Sequence, residues 1–336
     1  MNVDIGIDLG TANIVMTMGK RGVVLNEPSV IAFHKRTEQV VAIGRKAYAM
    51  IGRAPDYLAV VRPLKDGAIS DDELTQCMIR EFILKVSGKQ LIKPRIIICV
   101  PSFITDVERR AVMEAARSAG SRKVNLIQEP LAAMLGAGVS IGQANGHMVV
   151  DIGGGTTDIA VVSMNGIVTS HSIKVAGNRL DEAIIRYVSN KYKLMIGERT
   201  AEDAKIALAN LYDPSVDVRL TVRGKNLMRG LPDSAELTEV EMFEALEEDV
   251  FSIIEAVRHV LEQTPPELIG DIYDNGILLT GGSSYLGGLE KLISRTLGVR
   301  CHVAKDAETC VAKGTAKAFR RRDVLLDGFE SVTLFK

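Results

Sequence analysis

Apolar segments of strand length recur along the chain and alternate with segments that have helical spacing. The continuous apolar run at residues 96–100 predicts a buried central strand. Further strands are predicted at residues 23–25, 29–33, 40–43, 124–127, 148–151, 159–164, 167–175, 276–280 and 300–303. Helices are predicted at residues 71–87, 105–119, 131–135, 178–192, 200–209, 238–263, 286–296 and 307–321. Because strands and helices alternate in both halves, the pattern predicts a two-lobed α/β protein.

Local signals set several of the predicted helix ends. Residues 105–108 and 238–241 each have the spacing of a capping box, in which a threonine and a glutamate satisfy each other's backbone amides. Thr200 is predicted to cap a third helix. Pro265 and Pro266 are predicted to end the helix that begins at residue 238, because proline cannot continue a helix interior.

Two short glycine turns, at residues 8–13 and 151–158, nearly repeat each other. Each starts with an aspartate at the end of one apolar run and leads into another apolar run. Successive amides in such a turn form an anion-binding concavity, and glycine allows phosphate to approach the backbone. One turn alone would be a plain hairpin, whereas the pair predicts a duplicated fold that binds one polyphosphate from both sides. The predicted phosphate contacts are Thr11, Ala12, Asn13, Gly153, Gly154 and Gly155.

The charge on this polyphosphate needs a cation. Neither turn contains a lysine, and the chain has no G-x-x-x-x-G-K-[ST] motif. Mg²⁺ commonly takes one or two carboxylates together with phosphate oxygens and water. Asp8 and Asp151 are therefore the predicted metal ligands.

Composition excludes several other classes of protein. The 336 residues predict about two domains, and the net charge of -1, from 41 basic and 42 acidic residues, argues against nucleic-acid binding. The four cysteines form no C-x-x-C pair, which predicts reduced thiols in a cytosolic protein. No secretory signal is visible, and no apolar run approaches the roughly 20 residues of a membrane span.

Seven separated motifs, in order, resemble those of the actin superfamily, and most closely those of the bacterial actin family MreB and its paralogues. They lie at residues 8–13, 99–102, 127–130, 151–158, 175–177, 196–202 and 279–282. The resemblance implies a duplicated actin-like (ribonuclease H-like) fold with a nucleotide cleft between its lobes. It implies a first lobe of residues 1–147 and about 320–336, with a small insertion at about 32–65. The second lobe would be residues 148–319, with an insertion at about 179–240.

The resemblance also implies roles for individual residues. Glu129 would orient or deprotonate the water that attacks ATP, although a glutamate there could also complement a helix N-terminus, worth about 0.3–1 kcal/mol. Thr156 would help to hold this water, or its hydroxyl could bond to the turn backbone. Glu202 and Lys205 would contact the nucleoside, or form an exposed ion pair. The remaining predicted nucleotide contacts are Gly177, Asn178, Gly281, Gly282, Ser283 and Ser284.

For function, the resemblance implies a cytoplasmic ATPase with ATP and Mg²⁺ as cofactors. Such a protein would form filaments with itself, hydrolyse ATP slowly after polymerisation, and organise cell shape with proteins of cell-wall elongation. It would lie at the inner face of the cell membrane, where Leu91 and Ile92, flanked by lysines, would enter the lipid or instead pack in the core. The alternatives are a small-molecule kinase of the same superfamily, or a chaperone-type ATPase, for whose substrate region the chain offers no room.

Overall fold

The computed structural model describes residues 4–88 and 93–331. The strands are β1 (Asp4–Leu9), β2 (Asn13–Met18), β3 (Val23–Pro28), β4 (Ile31–His34), β5 (Val40–Ile43), β6 (Leu58–Val61), β7 (Leu64–Lys65), β8 (Ala68–Ile69), β9 (Arg95–Val100), β10 (Lys123–Gln128), β11 (His147–Ile152), β12 (Thr157–Ser163), β13 (Gly166–Ile173), β14 (Leu194–Met195), β15 (Arg219–Asn226), β16 (Pro232–Thr238), β17 (Ile277–Thr280), β18 (Cys301–Val303) and β19 (Phe329–Ser331). The helices are α1 (Arg45–Tyr48), α2 (Asp72–Ser87), α3 (Asp106–Ser118), α4 (Glu129–Ala137), α5 (Gly177–Tyr192), α6 (Glu198–Leu208), α7 (Glu239–Glu262), α8 (Pro266–Asn275), α9 (Leu289–Leu297) and α10 (Cys310–Ala318).

Two sheets with matching topology form the centres of two lobes. Within the described residues, the first sheet has the order β19-β10-β9-β1-β2-β3 and the second has the order β13-β12-β11-β17-β18. In each, an antiparallel meander (β1–β3 or β11–β13) is followed by two strands parallel to its first strand. The first sheet adds β19, which pairs antiparallel with β10. This repetition confirms the predicted duplicated actin-like fold.

Helices α4 and α10 pack against each other between the two sheets. A Cβ atom built on Gly136 would lie 1.8 Å from the carbonyl oxygen of Cys310, and one built on Gly314 would lie 1.8 Å from that of Ala132. Only glycine permits this approach of one helix backbone to the other. The hydroxyl of Thr17 in the first sheet donates to the carbonyl of Ala312 at 3.4 Å. Helix α10 thus contacts the first sheet. The residues at which one lobe ends and the other begins stay a prediction.

Each lobe carries an insertion with a small sheet of its own. Strands β4–β6 form a three-stranded sheet in the first insertion, and β14–β16 form another in the second. The sequence did not predict β14–β16, because β15 alternates exposed and partly exposed positions and fully buries only Val222. These insertions lie in the polypeptide segments that connect β3 to β9 and β13 to β17. They place α1 and α6 on opposite lobes.

Several predicted helix ends are confirmed, among them the end of α7 at Glu262, just before Pro265 and Pro266, whereas the predicted cap at Thr200 is wrong. Both capping boxes form, at Thr105 and at Thr238. Thr200 does not cap its helix, because α6 begins two residues earlier, after Gly197. Pro266 begins a further helix, α8, since proline fits a first helical turn. Across the described ranges, no helix is both long and apolar enough to cross a membrane.

Candidate functional site

A cavity of about 380 Å³ lies where the two glycine turns meet. Every residue predicted for catalysis, for the metal or for the nucleotide lines it, except Ser284. That side chain is buried, and its hydroxyl donates to the carbonyl of Gly281 at 2.6 Å. Ser284 therefore stabilises the turn instead of facing the cavity. Leu91 and Ile92, the predicted membrane contacts, lie outside the described residues.

The two turns fit into each other at the floor of the cavity. A Cβ atom on Gly154 would lie 2.5 Å from the Cβ atom of Ala12, and one on Gly155 would lie 2.5 Å from the hydroxyl of Thr11. Larger side chains at these positions would push the turns apart. The amide of Asn178, at the start of α5, donates to the carbonyl of Gly154 at 2.8 Å. The second turn is thus fixed both to the first turn and to α5.

A third turn, which the sequence did not predict, covers these two. Gly67 lies between β7 and β8 with φ of +75°, and its amide donates to the Thr11 hydroxyl at 3.1 Å. A Cβ atom on Gly67 would lie 2.7 Å from the methyl group of Thr156. The turn therefore restricts access of solvent to the threonines of both lobes.

Asp8, which is partly buried, and Asp151, which is buried, both present their carboxyl groups to the cavity. Burial and the neighbouring charge of Asp151 raise the pKa of Asp8 to about 8. Burial also raises the pKa of Asp151 to about 7, even though its carboxylate accepts a hydrogen bond from the Thr280 hydroxyl at 2.7 Å. Both carboxylates are costly to ionise in this site, because of burial and, for Asp8, the neighbouring charge. A cation between them would remove that cost.

The pair of carboxylates at the cavity fits Mg²⁺. Within residues 4–88 and 93–331, no group of three or more His, Cys, Asp and Glu side chains is placed to bind a metal. Two carboxylates suffice for Mg²⁺ when phosphate oxygens and water complete its octahedron. Asp8 and Asp151 are the residues that would hold it.

Glu129 is the first residue of α4 and faces Asp158 from the opposite lobe. Burial and the charges of Asp158, Asp151 and Asp8 raise the pKa of Glu129 well above its usual range. Burial likewise raises the pKa of Asp158, and the Ser102 amide, which donates to one of its oxygens at 3.0 Å, opposes that shift. Two carboxyl groups this close favour a shared proton. Asp158 belongs to the second turn, but nothing in its sequence position revealed that it faces Glu129.

On the predicted nucleoside side of the cavity, Lys205 pairs with a residue other than Glu202. Lys205 is buried, and its ammonium pairs with Asp181 at 2.7 Å and donates to the carbonyl of Gly177 at 3.0 Å. The alternative reading, an ion pair between Glu202 and Lys205, is therefore not formed. Burial raises the pKa of Asp181 to about 6 despite the lysine. The Ser283 hydroxyl donates to the carbonyl of Gly153 at 2.8 Å, which links the turn after β17 to the second phosphate turn.

Comparison with known proteins relates the whole chain to one family. The family model described as "MreB/Mbl protein" matches residues 2–326. The cell shape-determining protein Mbl of Bacillus subtilis is 48% identical over 323 residues, which cover 96% of this chain and 97% of that protein. The cell shape-determining protein MreB of Escherichia coli is 46% identical, over 96% of this chain and 94% of that protein.

Solved structures also resemble this chain over nearly its whole length. MreB5 of Spiroplasma citri, crystallised with AMPPNP, superimposes with a TM-score of 0.91 and 34% identity, over 96% of this chain and 97% of that one. The same protein was also solved with ADP. A double-helical filament of MamK has a TM-score of 0.82 at 21% identity, over 95% of this chain and 99% of that one, and so shares the fold.

Proposed function

The chain belongs to the MreB/Mbl family, and we propose that it is an ATP-dependent, filament-forming bacterial actin that organises cell shape and cell-wall synthesis. The observation that carries this proposal is the meeting of two glycine turns, one from each duplicated lobe, around a single cavity with paired aspartates. The names of the relatives support the role in cell shape, and the AMPPNP and ADP complexes of MreB5 support a nucleotide ligand.

Phosphate binding is assigned to the backbone of the two turns. The amides around Gly10 and Gly154 would donate to phosphate oxygens. The N-terminus of α5, whose first two amides donate to the carbonyls of Gly153 and Gly154, would add its partial positive charge. Asp8 and Asp151 would hold the metal through carboxylate oxygens. Bound Mg²⁺ would supply the positive charge that allows these carboxylates to stay ionised at neutral pH.

Hydrolysis is assigned to Glu129 with Thr156. Glu129 lies at the cavity wall, where it can orient a water molecule and accept its proton once its carboxyl group is ionised. Relief of the negative charge on Asp8 and Asp151 would lower the pKa of Glu129 towards that state, because both charges raise it. Phosphoryl transfer depends mainly on positioning and charge stabilisation, so few side chains are needed.

The nucleoside is assigned to the second lobe. Glu202 and Lys205 of α6 lie beside the ribose in this proposal, and Gly281, Gly282 and Ser283 lie beneath the purine. Lys205 is held by Asp181, which makes α5 part of the same wall. The predicted lobe limits, with insertions at about 32–65 and 179–240, belong to this proposal as well.

Filament assembly and membrane contact complete the proposal. Head-to-tail contacts between identical subunits generate an open filament when the rotation between them does not close. A filament would multiply a weak lipid contact of each subunit at Leu91 and Ile92, placing the polymer at the inner face of the cell membrane with its cell-wall partners.

Sedimentation tests the whole proposal. The purified protein is centrifuged with ATP and Mg²⁺, with ADP and Mg²⁺, and with ATP and a chelator, each with and without anionic liposomes. We expect pelleting only with ATP and Mg²⁺, filaments by electron microscopy, and lipid binding that is lost in the double variant Leu91→Ser, Ile92→Ser. ATP consumption that requires an added sugar, without any polymer, would instead identify a small-molecule kinase.

A further inference from the structure

Tyr48 of the first lobe reaches across the cleft to the second lobe. It is the last residue of α1, and its phenol donates a hydrogen bond to Oε2 of Glu202 on α6. The two residues belong to different insertions, 154 positions apart in the chain. This bond ties the proposed nucleoside wall to the opposite lobe.

Two arginines hold the Tyr48 ring in this position. The guanidinium carbon of Arg62, which follows β6 in the first lobe, lies 5.9 Å from the ring centroid. That of Arg199, on α6 in the second lobe, lies 5.2 Å from it. A guanidinium within about 6 Å of an aromatic centroid is attracted to the ring. The ring is therefore bound by one cation from each lobe.

The hydrogen bond from Tyr48 uses only one of the two carboxylate oxygens of Glu202. Glu202 lines the nucleotide cavity and also a neighbouring cavity of about 580 Å³, whereas Tyr48 lines only the second. Among the described residues, no hydrogen bond reaches the other oxygen, Oε1. Tyr48 thus engages the carboxylate on one side while its free oxygen can accept a hydrogen bond from a ligand on the other.

Within the part of the chain that the structure describes, no side chain of the second lobe donates a hydrogen bond to the Glu202 carboxylate. Lys205, the cation one turn further along α6, is engaged by Asp181 and by the Gly177 carbonyl. Burial and the hydrogen bond to Glu202 raise the pKa of Tyr48 to about 12, so its phenol remains a donor at neutral pH. The direction of the Glu202 carboxylate therefore depends on the opposite lobe.

We propose that Tyr48 is a nucleoside-positioning residue, which fixes Glu202 so that its free oxygen accepts a ribose hydroxyl. The ribose site is then complete only when the lobes are closed on each other. This inference rests on the proposed function, since it takes the nucleotide as the ligand of the cavity. It adds to that function a coupling between sugar recognition and lobe closure.

Affinities for ATP and for its deoxy analogues test the inference. Dissociation constants of ATP, 2′-deoxy-ATP and 3′-deoxy-ATP are measured with Mg²⁺ for the unsubstituted protein and for Tyr48→Phe, which keeps the ring between its arginines. We expect the unsubstituted protein to prefer ATP over one of the analogues by roughly tenfold, as a hydrogen bond to a charged group implies. Tyr48→Phe should lose most of that preference by weakening ATP binding, with binding of that analogue unchanged.

Tyr187→Phe provides the matched control. Its phenol donates to Glu244 at 2.5 Å, and both residues lie within the second lobe, so the ribose preference should be retained. A Tyr48→Phe variant that keeps the preference, or that weakens ATP and both analogues equally, would overturn the inference. An unsubstituted protein that binds no nucleotide would overturn the proposed function itself, and the nucleoside role with it.

Hydrogen exchange tests the cross-lobe bond without nucleotide. In the free protein, amides of α1 and α6 should exchange faster in Tyr48→Phe than in Tyr187→Phe. Equal exchange in the two variants would show that the bond does not hold the lobes together and would overturn the coupling.

Discussion

The two glycine turns have the same length, and each begins with an aspartate, an apolar residue and a glycine. They differ at later positions, near the proposed site of hydrolysis. In the first lobe, β1 and β2 pair Asp8 with Val15 and enclose residues 10–13. In the second, β11 and β12 pair Asp151 with Asp158 and enclose residues 153–156. Position by position, Thr156 corresponds to Asn13, and Asp158 corresponds to the apolar Val15. Both turns share the aspartate and the first glycine, as the proposed approach of each turn to phosphate and metal requires.

A second difference concerns the strand end that carries Glu129. Strand β10 of the first lobe is followed at once by Glu129, whereas the corresponding strand of the second lobe, β18, is followed by the buried Ala304. The proposed general base, Glu129, therefore has no acidic counterpart at the matching position of the second lobe. In the proposed function, phosphate binding uses what the lobes share, and water activation uses what they do not.

The two aspartates also have different neighbours. Asp151 pairs across the sheet with Thr280, whose hydroxyl donates to it, while Asp8 pairs with Cys99. A thiol is a weak donor compared with a hydroxyl. The Thr280 hydroxyl opposes the rise in the pKa of Asp151, whereas the charge of Asp151 adds to the rise in the pKa of Asp8.

The largest expected effect comes from removing the acid that only one lobe has. Glu129→Ala should still bind ATP and Mg²⁺. It should release phosphate more slowly by about a hundredfold or by a larger factor, as loss of a general base implies. Phosphate release is measured under conditions where the nucleotide site is saturated. Glu267→Ala is the matched control, because Glu267 also lies in a first helical turn beside a proline, away from the cavity. Equal hydrolysis by the two variants would reduce Glu129 to a helix-stabilising residue.

The next largest effect is expected on nucleotide affinity when the pH is lowered, because a lower pH protonates Asp8 and Asp151, the aspartates at matching positions of the two lobes. Raised carboxyl pKa values mean that Mg²⁺-ATP must displace protons, so its affinity should fall about tenfold or more from pH 8 to pH 6. Calorimetry in two buffers of different ionisation enthalpy should detect proton release on binding at pH 7. Binding without proton release would contradict the raised pKa values.

The same shifts determine the stability of the nucleotide-free protein. A carboxyl group with a raised pKa in the folded state stabilises it fully below the unfolded value of 3.8, and this contribution is gone above about 8 for Asp8 and about 7 for Asp151. These groups should therefore lower the free energy of unfolding as the pH rises from 6 to 8. Asp8→Asn should flatten that pH dependence, as measured by denaturant unfolding.

The smallest effect is expected from exchanging the neighbours of the aspartates. Thr280→Val removes the hydroxyl that lowers the pKa of Asp151, so this pKa should rise and Mg²⁺-ATP affinity at pH 7 should fall a few-fold, as for one hydrogen bond. The reciprocal variant, Cys99→Ser, gives Asp8 a hydroxyl neighbour and should lower its pKa. Titration of the pH dependence of affinity in both variants checks the pair. Identical profiles would show that the strand neighbours do not distinguish the lobes.

Features that depend on a few consecutive residues could be predicted from the sequence. The capping boxes at Thr105 and Thr238 and the two glycine turns were correct, because they are fixed by hydrogen bonds within one turn of chain. Thr200 was placed wrongly as a cap, since Glu198 and Arg199 before it also favour a helix. Strands β14–β16 were missed because β15 and β16 each alternate only two apolar positions, among exposed polar and charged residues.

Local patterns along the chain were enough to predict the duplicated fold, the positions of its two glycine turns and the residue types at their ends, since apolar periodicity and turn chemistry are local. Which side chains face each other across the cleft depends on the packing in three dimensions: Asp158 faces Glu129, Asp181 faces Lys205, and Tyr48 faces Glu202. These pairs join helices, turns and lobes that are distant in the chain. Their proximity is set by how helices α4 and α10 pack the two sheets together, and no local pattern encodes that packing.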